Sequence, residues 1–197
     1  MILPAGDYHY EIRRGAALVA IEEASFDGRK IVGARRFMDS ANRYAVIADL
    51  AADSSIASVT LSYARGPFNR TAQYEAVGEF LRGQITAMAG RNTVTAKLGR
   101  FREIDADLVI FRALIIARVR ARGQTRWTGR VAAIDPATLV AGSNKQSARC
   151  ADGAGLRWIY EPRMGDREEI ELDAAGRILR RLDDRGVEAL LVDRRPG

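Results

Sequence analysis

Carboxylates are the only catalytic raw material this chain carries in quantity: Glu22-Glu23, Asp105 with Asp107, Glu168-Glu169 and Asp183-Asp184. Two carboxyl groups held roughly 5 to 9 Å apart, with their pKa values pushed in different directions, can hydrolyse glycosidic bonds. Adjacency along the chain does not by itself create that geometry. Each pair also has a structural reading: Glu22-Glu23 as a strand edge, Asp105 and Asp107 as a helix start, Asp183-Asp184 as a turn. His9 is the one histidine and Cys150 the one cysteine. They exclude an intramolecular disulfide and a cysteine metal cage, and they leave too few ligands for a catalytic zinc site. A Ser-His-Asp mechanism would have to run through His9, within Tyr8-His9-Tyr10, where a packed or surface histidine is the simpler reading. No catalytic residue, metal or cofactor is assigned from sequence.

Phosphate and nucleic-acid chemistry fare no better. Gly-Lys-Ser and Gly-Lys-Thr are absent, and Gly99-Arg100-Phe101-Arg102 does not open a helix in the manner of a phosphate loop. Arg100 and Arg102 could instead receive a carboxylate or phosphate head group, because guanidinium forks match planar anions. The net charge is +6, yet only Lys30, Lys97 and Lys145 are lysines and the arginines are scattered. With no helix-turn-helix, zinc finger or aromatic stacking pattern beside that charge, nucleic acid is not the expected partner.

The elements that must position these residues are mostly strands. Tyr8, Tyr10 and Ile12 alternate with His9, Glu11 and Arg13, and the same period recurs in Ala17 to Phe26, Arg29 to Phe37, Tyr44 to Leu50, Val59 to Tyr63 and Phe68 to Ala76. Asp27-Gly28 predicts a tight type I′ hairpin, and Gly78 and Gly83 predict bends or bulges. Further strands are expected at Val94 to Leu98, Arg126 to Ile134, Leu156 to Glu161, Glu168 to Leu172, Arg177 to Leu182 and Val187 to Val192. A helix over 174–185 is the rival reading, since Ile178 and Leu182 are four apart, and Gly176 and Gly186 tip the balance towards strand without closing the choice. The stretch from Ala137 to Gly155, rich in Gly, Ser and Asn, reads as a mobile loop.

One segment differs from all of these. Asp105 to Gly123 reads as a helix of about 105–122, capped by Asp105 and stopped by Gly123, with Arg118, Arg120 and Arg122 complementing the negative end of its dipole. Leu108, Phe111, Ile115 and Val119 form a stripe that Ile110, Leu114, Ile116 and Ala117 widen past half the circumference. A helix so apolar needs cover on most sides. With about ten strands joined by short antiparallel connections and no strand-helix-strand alternation, the fold class is mainly β (α+β). A highly curved antiparallel sheet forms a roll or partial barrel around one long apolar helix. The 197 residues, 47% hydrophobic and 28% charged, fit a single domain over 1–197. Arg112 and Arg118 interrupt the only candidate membrane span, and Met1 to Gly6 lacks a secretory leader pattern. The expectation is therefore a cytoplasmic protein without a membrane span.

That layout, on Asp105–Gly123, Trp127–Ile134 and Glu171–Arg177, resembles bacterial β-roll families: the lipoprotein-carrier-like fold and the proteins of unknown function described as glycolipid-binding. The resemblance implies a curved sheet wrapping an apolar helix beside a cavity for acyl chains. The first functional expectation is thus a non-enzymatic binder of a lipid-like or amphiphilic ligand. Tyr44, Tyr63, Tyr74, Phe80, Phe111 and Trp127 would line the cavity, and Arg100, Arg102 and Arg126 would meet the head group. The alternatives are a hydrolase using acidic residues at the mouth of the roll, and an interaction protein, such as a homodimer, associating through a sheet edge.

Overall fold

The alternating segments fold as antiparallel strands with one apolar face each, and a computed structural model describes residues 3–100 and 102–192. They are β1 (Gly6–Arg14), β2 (Ala17–Phe26), β3 (Lys30–Phe37), β4 (Arg43–Leu50), β5 (Ile56–Arg65), β6 (Phe68–Val77), β7 (Phe80–Ala87) and β8 (Gly90–Lys97). After these come β9 (Ile104–Asp105), α1 (Val109–Ala121), β10 (Arg126–Ile134), β11 (Ala141–Cys150), β12 (Arg157–Glu161), β13 (Glu168–Leu172), β14 (Ile178–Asp183) and β15 (Val187–Leu191). All belong to one curved 15-stranded sheet in the order β8-β7-β6-β5-β4-β3-β2-β1-β15-β14-β13-β12-β11-β10-β9. β1 therefore sits in the middle, and the chain meanders outward from it in both directions. A short segment joins the two outer strands, β8 and β9, and α1 follows as the crossover from β9 to its parallel neighbour β10, running through the interior.

Room for that helix comes from small residues on the inward face. Ala20, Ala24, Ala48, Ala72, Ala96, Ala132, Ala148 and Ala189 are all buried. Gly33 is equally specific, since a Cβ there would lie 2.6 Å from the Leu108 side chain, which packs at the start of α1. Around the helix, Ile31, Val46, Val59, Leu61, Leu81 and Val131 complete one contiguous core.

The sheet ends approach each other without pairing as strands. Ser143 Oγ in β11 donates to the Lys97 carbonyl at 2.8 Å, and Tyr74 Oη donates to the Leu139 carbonyl at 2.6 Å. Gly99 lies so close to the Arg130 carbonyl that a Cβ would stand 2.0 Å from its oxygen.

Several expectations need correction. The helix is 13 residues long and begins at Val109, with Leu108 as its N-cap and no side-chain cap from Asp105. Asp105 lies in β9, which pairs in parallel with β10 through Ala132↔Ile104 and Ala133↔Asp105. Asp107 turns the chain with φ 59°, separating strand from helix. A short parallel pair thus exists where only antiparallel pairing was expected, and the strands number 15 rather than about ten. Most of Ala137 to Gly155 is no loop, because β11 pairs with β10 in unbroken register from Arg126↔Arg149 to Ile134↔Ala141. Its polar residues mislead because β11 contributes only Ala141, Gln146 and Ala148 to the buried interior. The β2–β3 connection runs over three residues, 27–29, instead of a two-residue turn. Only Gly28 takes a positive φ, and the Asp27 carboxylate accepts hydrogen bonds from the Arg29 and Lys30 N–H groups. Gly78 lies in the β6–β7 turn with φ 60°, whereas Gly83 is a strand residue pressed against Tyr74. Residues 174–185 contain a strand, and Gly123 takes the left-handed stop with φ 67°.

Candidate functional site

Charged residues on the inward face of the sheet gather at the helix N-terminal end of the roll. The pairing register runs Tyr10↔Glu22, Glu22↔Arg35, Arg35↔Tyr44 and Tyr44↔Tyr63, a polar row across five strands. Glu22, expected at a strand edge, is fully buried at 0% exposure. Its Oε1 accepts from the Val109 N–H at 2.6 Å and its Oε2 from Arg35 Nη2 at 2.9 Å. A strand residue far away in sequence thereby supplies the helix cap that Asp105 does not.

Arg35 also donates to Asp107 Oδ2 at 2.7 Å and to the Asp107 carbonyl. Tyr44 Oη donates to the Ala106 carbonyl at 2.8 Å, fixing the same turn. Asp105 accepts from the Asp107 N–H at 2.9 Å, from Arg112 Nη1 and from Gln146 Nε2 at 3.3 Å. Tyr160 Oη donates to Gln146 Oε1. Arg112 stands 3.5 Å from Glu168, which accepts from Arg181 Nη1 at 3.3 Å.

Four carboxylates, Glu22, Asp105, Asp107 and Glu168, therefore face three guanidiniums, Arg35, Arg112 and Arg181. Burial pushes the Asp105 carboxyl above its ordinary value, against the attraction of Arg112. Burial acts on Asp107 in the same sense, but Arg35 and Arg112 outweigh it and hold that group below its ordinary value. Burial also raises the Tyr44 and Tyr160 phenols well above their usual value. Three buried polar atoms of the cluster make no hydrogen bond: Arg112 Nε, Glu168 Oε2 and Arg181 Nε.

Arg35, Asp105, Asp107, Arg112, Glu168 and Arg181 line the floor of an open cleft of 1150 Å³, with Glu22 buried behind them. Ile12, Val19, Phe37, Val140 and Val187 give it apolar walls, and Arg14, Asp39, Arg163 and Arg185 lie around its rim. The arrangement offers both donors and acceptors beside apolar surface. Among the described residues, no group of three or more His, Cys, Asp or Glu is placed to hold a metal ion.

Of the acidic residues singled out from sequence, Glu22, Asp105, Asp107 and Glu168 gather here, whereas the expected cavity-lining and head-group residues do not line this cleft. Tyr44, Tyr74, Phe111 and Trp127 are buried in the core, and Tyr63 and Phe80 are half-buried. Arg100 and Arg102 line a cleft of 490 Å³ at the opposite end of the helix, together with Asp53, Ser55, Arg118, Ala121 and Arg122. Arg126 is exposed at the start of β10, and Phe101 lies outside the described residues. Sequence reasoning named Glu22 only as half of an acidic pair or a strand edge, and missed Arg35, Gln146, Tyr160 and Arg181. For Glu22 and Arg35 the signal of an inward position was present: Ala20, Glu22, Ala24 and Phe26 alternate inward, as do Ile31, Gly33 and Arg35. A charged residue in register with buried apolar neighbours marks an internal ion pair. His9 stands 3.3 Å from Glu23, and Cys150 Sγ donates to the Asp152 carbonyl at 2.8 Å.

No family model and no curated protein matches the chain. Among solved structures it is similar to a DUF1089 family protein from Pseudomonas aeruginosa, with a TM-score of 0.62 and 19% identity over 83% of this chain and 89% of that one. It is also similar to a β-barrel-like protein of domain of unknown function DUF1849 from Brucella abortus, with a TM-score of 0.53 and 10% identity over 95% and 94%. These likenesses concern the fold alone. Both neighbours are β-rich proteins of unknown function, and neither is described as a lipoprotein carrier. Among the described residues, no helix is long and apolar enough to cross a membrane.

Proposed function

We propose that the chain binds an amphiphilic small molecule carrying a hydroxyl-bearing head group, in the cleft at the helix N-terminal end. One observation carries this reading: on the floor of a cleft whose walls include Ile12, Val19, Phe37 and Val140, buried Arg181 Nε makes no hydrogen bond, and Arg112 Nε and Glu168 Oε2 meet only each other, at 3.5 Å, without forming one. An unused donor beside a long donor–acceptor pair matches hydroxyl groups, which both donate and accept, better than a bare anion or a plain acyl chain. The apolar walls suit the other half of such a molecule. The occupant lies in the mouth, since α1 and its packed neighbours fill the interior behind it. Self-association through a sheet edge has less to rest on, because the end of β8 is held against β11 through Ser143 and Lys97.

Octyl glucoside below its micelle concentration is a suitable probe, with laurate as the contrasting amphiphile. The expected result is chemical-shift perturbation at Phe37, Val140 and Arg181 with octyl glucoside, weaker with laurate, and at least tenfold weaker binding in Phe37→Asp. Perturbation spread evenly over the surface, or none, overturns the proposal.

A hydrolase is the second reading, favoured by the opposite displacement of Asp105 and Asp107 on one cleft floor. Asp107→Asn that abolishes turnover of an aryl glycoside while retaining octyl glucoside would select it. Absence of turnover by the unaltered protein removes it.

A further inference from the structure

The other end of the roll carries a separate group of charges that the preceding reading does not use. Arg118 and Arg122 come from the last turns of α1, Arg100 and Arg102 from the segment before β9, and all four line one cleft with Asp53 and Ser55. An adjoining depression, lined by Gly78, Glu79, Lys97, Leu98, Gly99 and Arg130, shares Arg100 and Arg102 with it. Across both, five arginines and Lys97 face three carboxylates, Asp53, Glu79 and buried Glu103, so the region carries a net positive charge. Glu103 is the internal counter-ion, but it stands 3.8 Å from Arg118 and 4.0 Å from Arg122, outside hydrogen-bond distance. Glu79 is engaged by Lys97 at 3.1 Å.

Basic residues at a helix C-terminus ordinarily offset its dipole. That accounts for Arg118 and Arg120, but not for Arg100 and Arg102, which come from another segment. Asp53 on the same cleft is already engaged by Ser55, whose N–H donates to its Oδ1 at 2.9 Å. Guanidinium groups converging from two segments are suited to the several oxygens of one compact anion.

We propose that this mouth is a binding site for a phosphate-class oxyanion, gripped by Arg100, Arg102 and Arg122 where they converge on one cleft. The site is independent of the cleft at the helix N-terminal end. The same chemistry is offered by a free phosphorylated small molecule and by the head group of an anionic lipid, and the probes separate these sources.

Binding of inorganic pyrophosphate is measured by calorimetry at two salt concentrations. Flotation is measured with phosphatidylcholine vesicles with and without phosphatidic acid. Pyrophosphate is expected to bind, more weakly at higher salt. Arg100→Gln with Arg102→Gln should reduce that affinity at least tenfold, while Arg36→Gln, on the exposed face of β3, should leave it within twofold. Flotation that requires phosphatidic acid and disappears in the double variant assigns the site to a lipid head group. Pyrophosphate binding without flotation assigns it to a soluble anion. Arg122→Gln, at the exposed helix end, serves if the double variant does not fold. Failure of both probes to bind, or binding that Arg100, Arg102 and Arg122 variants leave unchanged, overturns the proposal.

Discussion

The two ends of α1 each bury an arginine, and the roll treats them differently. Arg112, 4% exposed, touches Asp105 and lies within 3.5 Å of Asp107 and Glu168, and its pKa is held well above the ordinary value despite burial. Arg118, 6% exposed, faces Glu103 at 3.8 Å, and burial outweighs that attraction and pushes its pKa down. One end is over-supplied with carboxylates, whereas the other is over-supplied with guanidiniums. A buried charge is tolerated only to the extent that partners replace its lost water. The first end is therefore the structural anchor as well as a candidate site, and the second is the positive end to which an anion is proposed to bind.

Replacing the anchor should give the largest effect. Arg112→Met leaves Asp105 and Glu168 buried without their shared partner and should cost about 3–5 kcal/mol, read as a loss of unfolding free energy in urea. Arg118→Met leaves Glu103 near Arg122 and should cost about 1–2 kcal/mol. Equal costs would remove the contrast between the ends.

Glu22→Ala removes a helix cap and a partner of Arg35 together, with an expected cost of about 2–4 kcal/mol. Glu22→Gln keeps an oxygen for the Val109 N–H and should recover about 1 kcal/mol of it. If the two variants unfold alike, the bond to α1 contributes nothing. Tyr160→Phe, which leaves Gln146 Oε1 without its donor, should cost about 1–2 kcal/mol on the same scale.

The smallest effect is in pH dependence, where Asp107 at one end and Glu103 at the other have opposite signs. Asp107 has a folded pKa below its ordinary value of 3.8, so the unfolded chain binds more protons there. Its contribution is complete above that value and fades as pH falls through the folded pKa. Glu103 has a folded pKa raised above 4.5 by burial, so the folded protein binds more protons there. Stability at that end accordingly declines as pH rises from about 4.5 through the raised value. Glu103→Gln should flatten this decline, and Asp107→Asn should flatten the acid limb, both measured by denaturant titration across pH.

Much of the fold was legible because burial on one face of a strand leaves a period of two. The inward positions Tyr8, Tyr10, Ile12, Tyr44, Val46, Ala48 and Leu50 follow directly, as does the demand of the apolar 109–119 segment for cover on all sides. Residues 141–150 were illegible for the converse reason. β11 presents mostly polar side chains, and its place is set by a full ladder with β10 that composition cannot reveal. The candidate site was half legible. Asp105 and Asp107 stood out as a pair, but their role changed from helix cap to strand end and turn. Glu22 and Arg35 lay in plain alternation, and only cross-strand register made them partners.

By itself, the sequence determined a β-rich chain, one buried helix and the inward face of most strands, since these depend on local periodicity and on the cost of exposing apolar surface. Tertiary structure decided which charges share a site. Those contacts join residues up to 87 positions apart, as in the bond between Glu22 and Val109, and nothing local encodes a pairing fixed by sheet register and curvature. It also divided the arginines, placing Arg35, Arg112 and Arg181 at the helix N-terminal mouth and Arg100, Arg102, Arg118 and Arg122 at the other. One scattered positive charge in the sequence thereby became two ends of opposite electrostatic character.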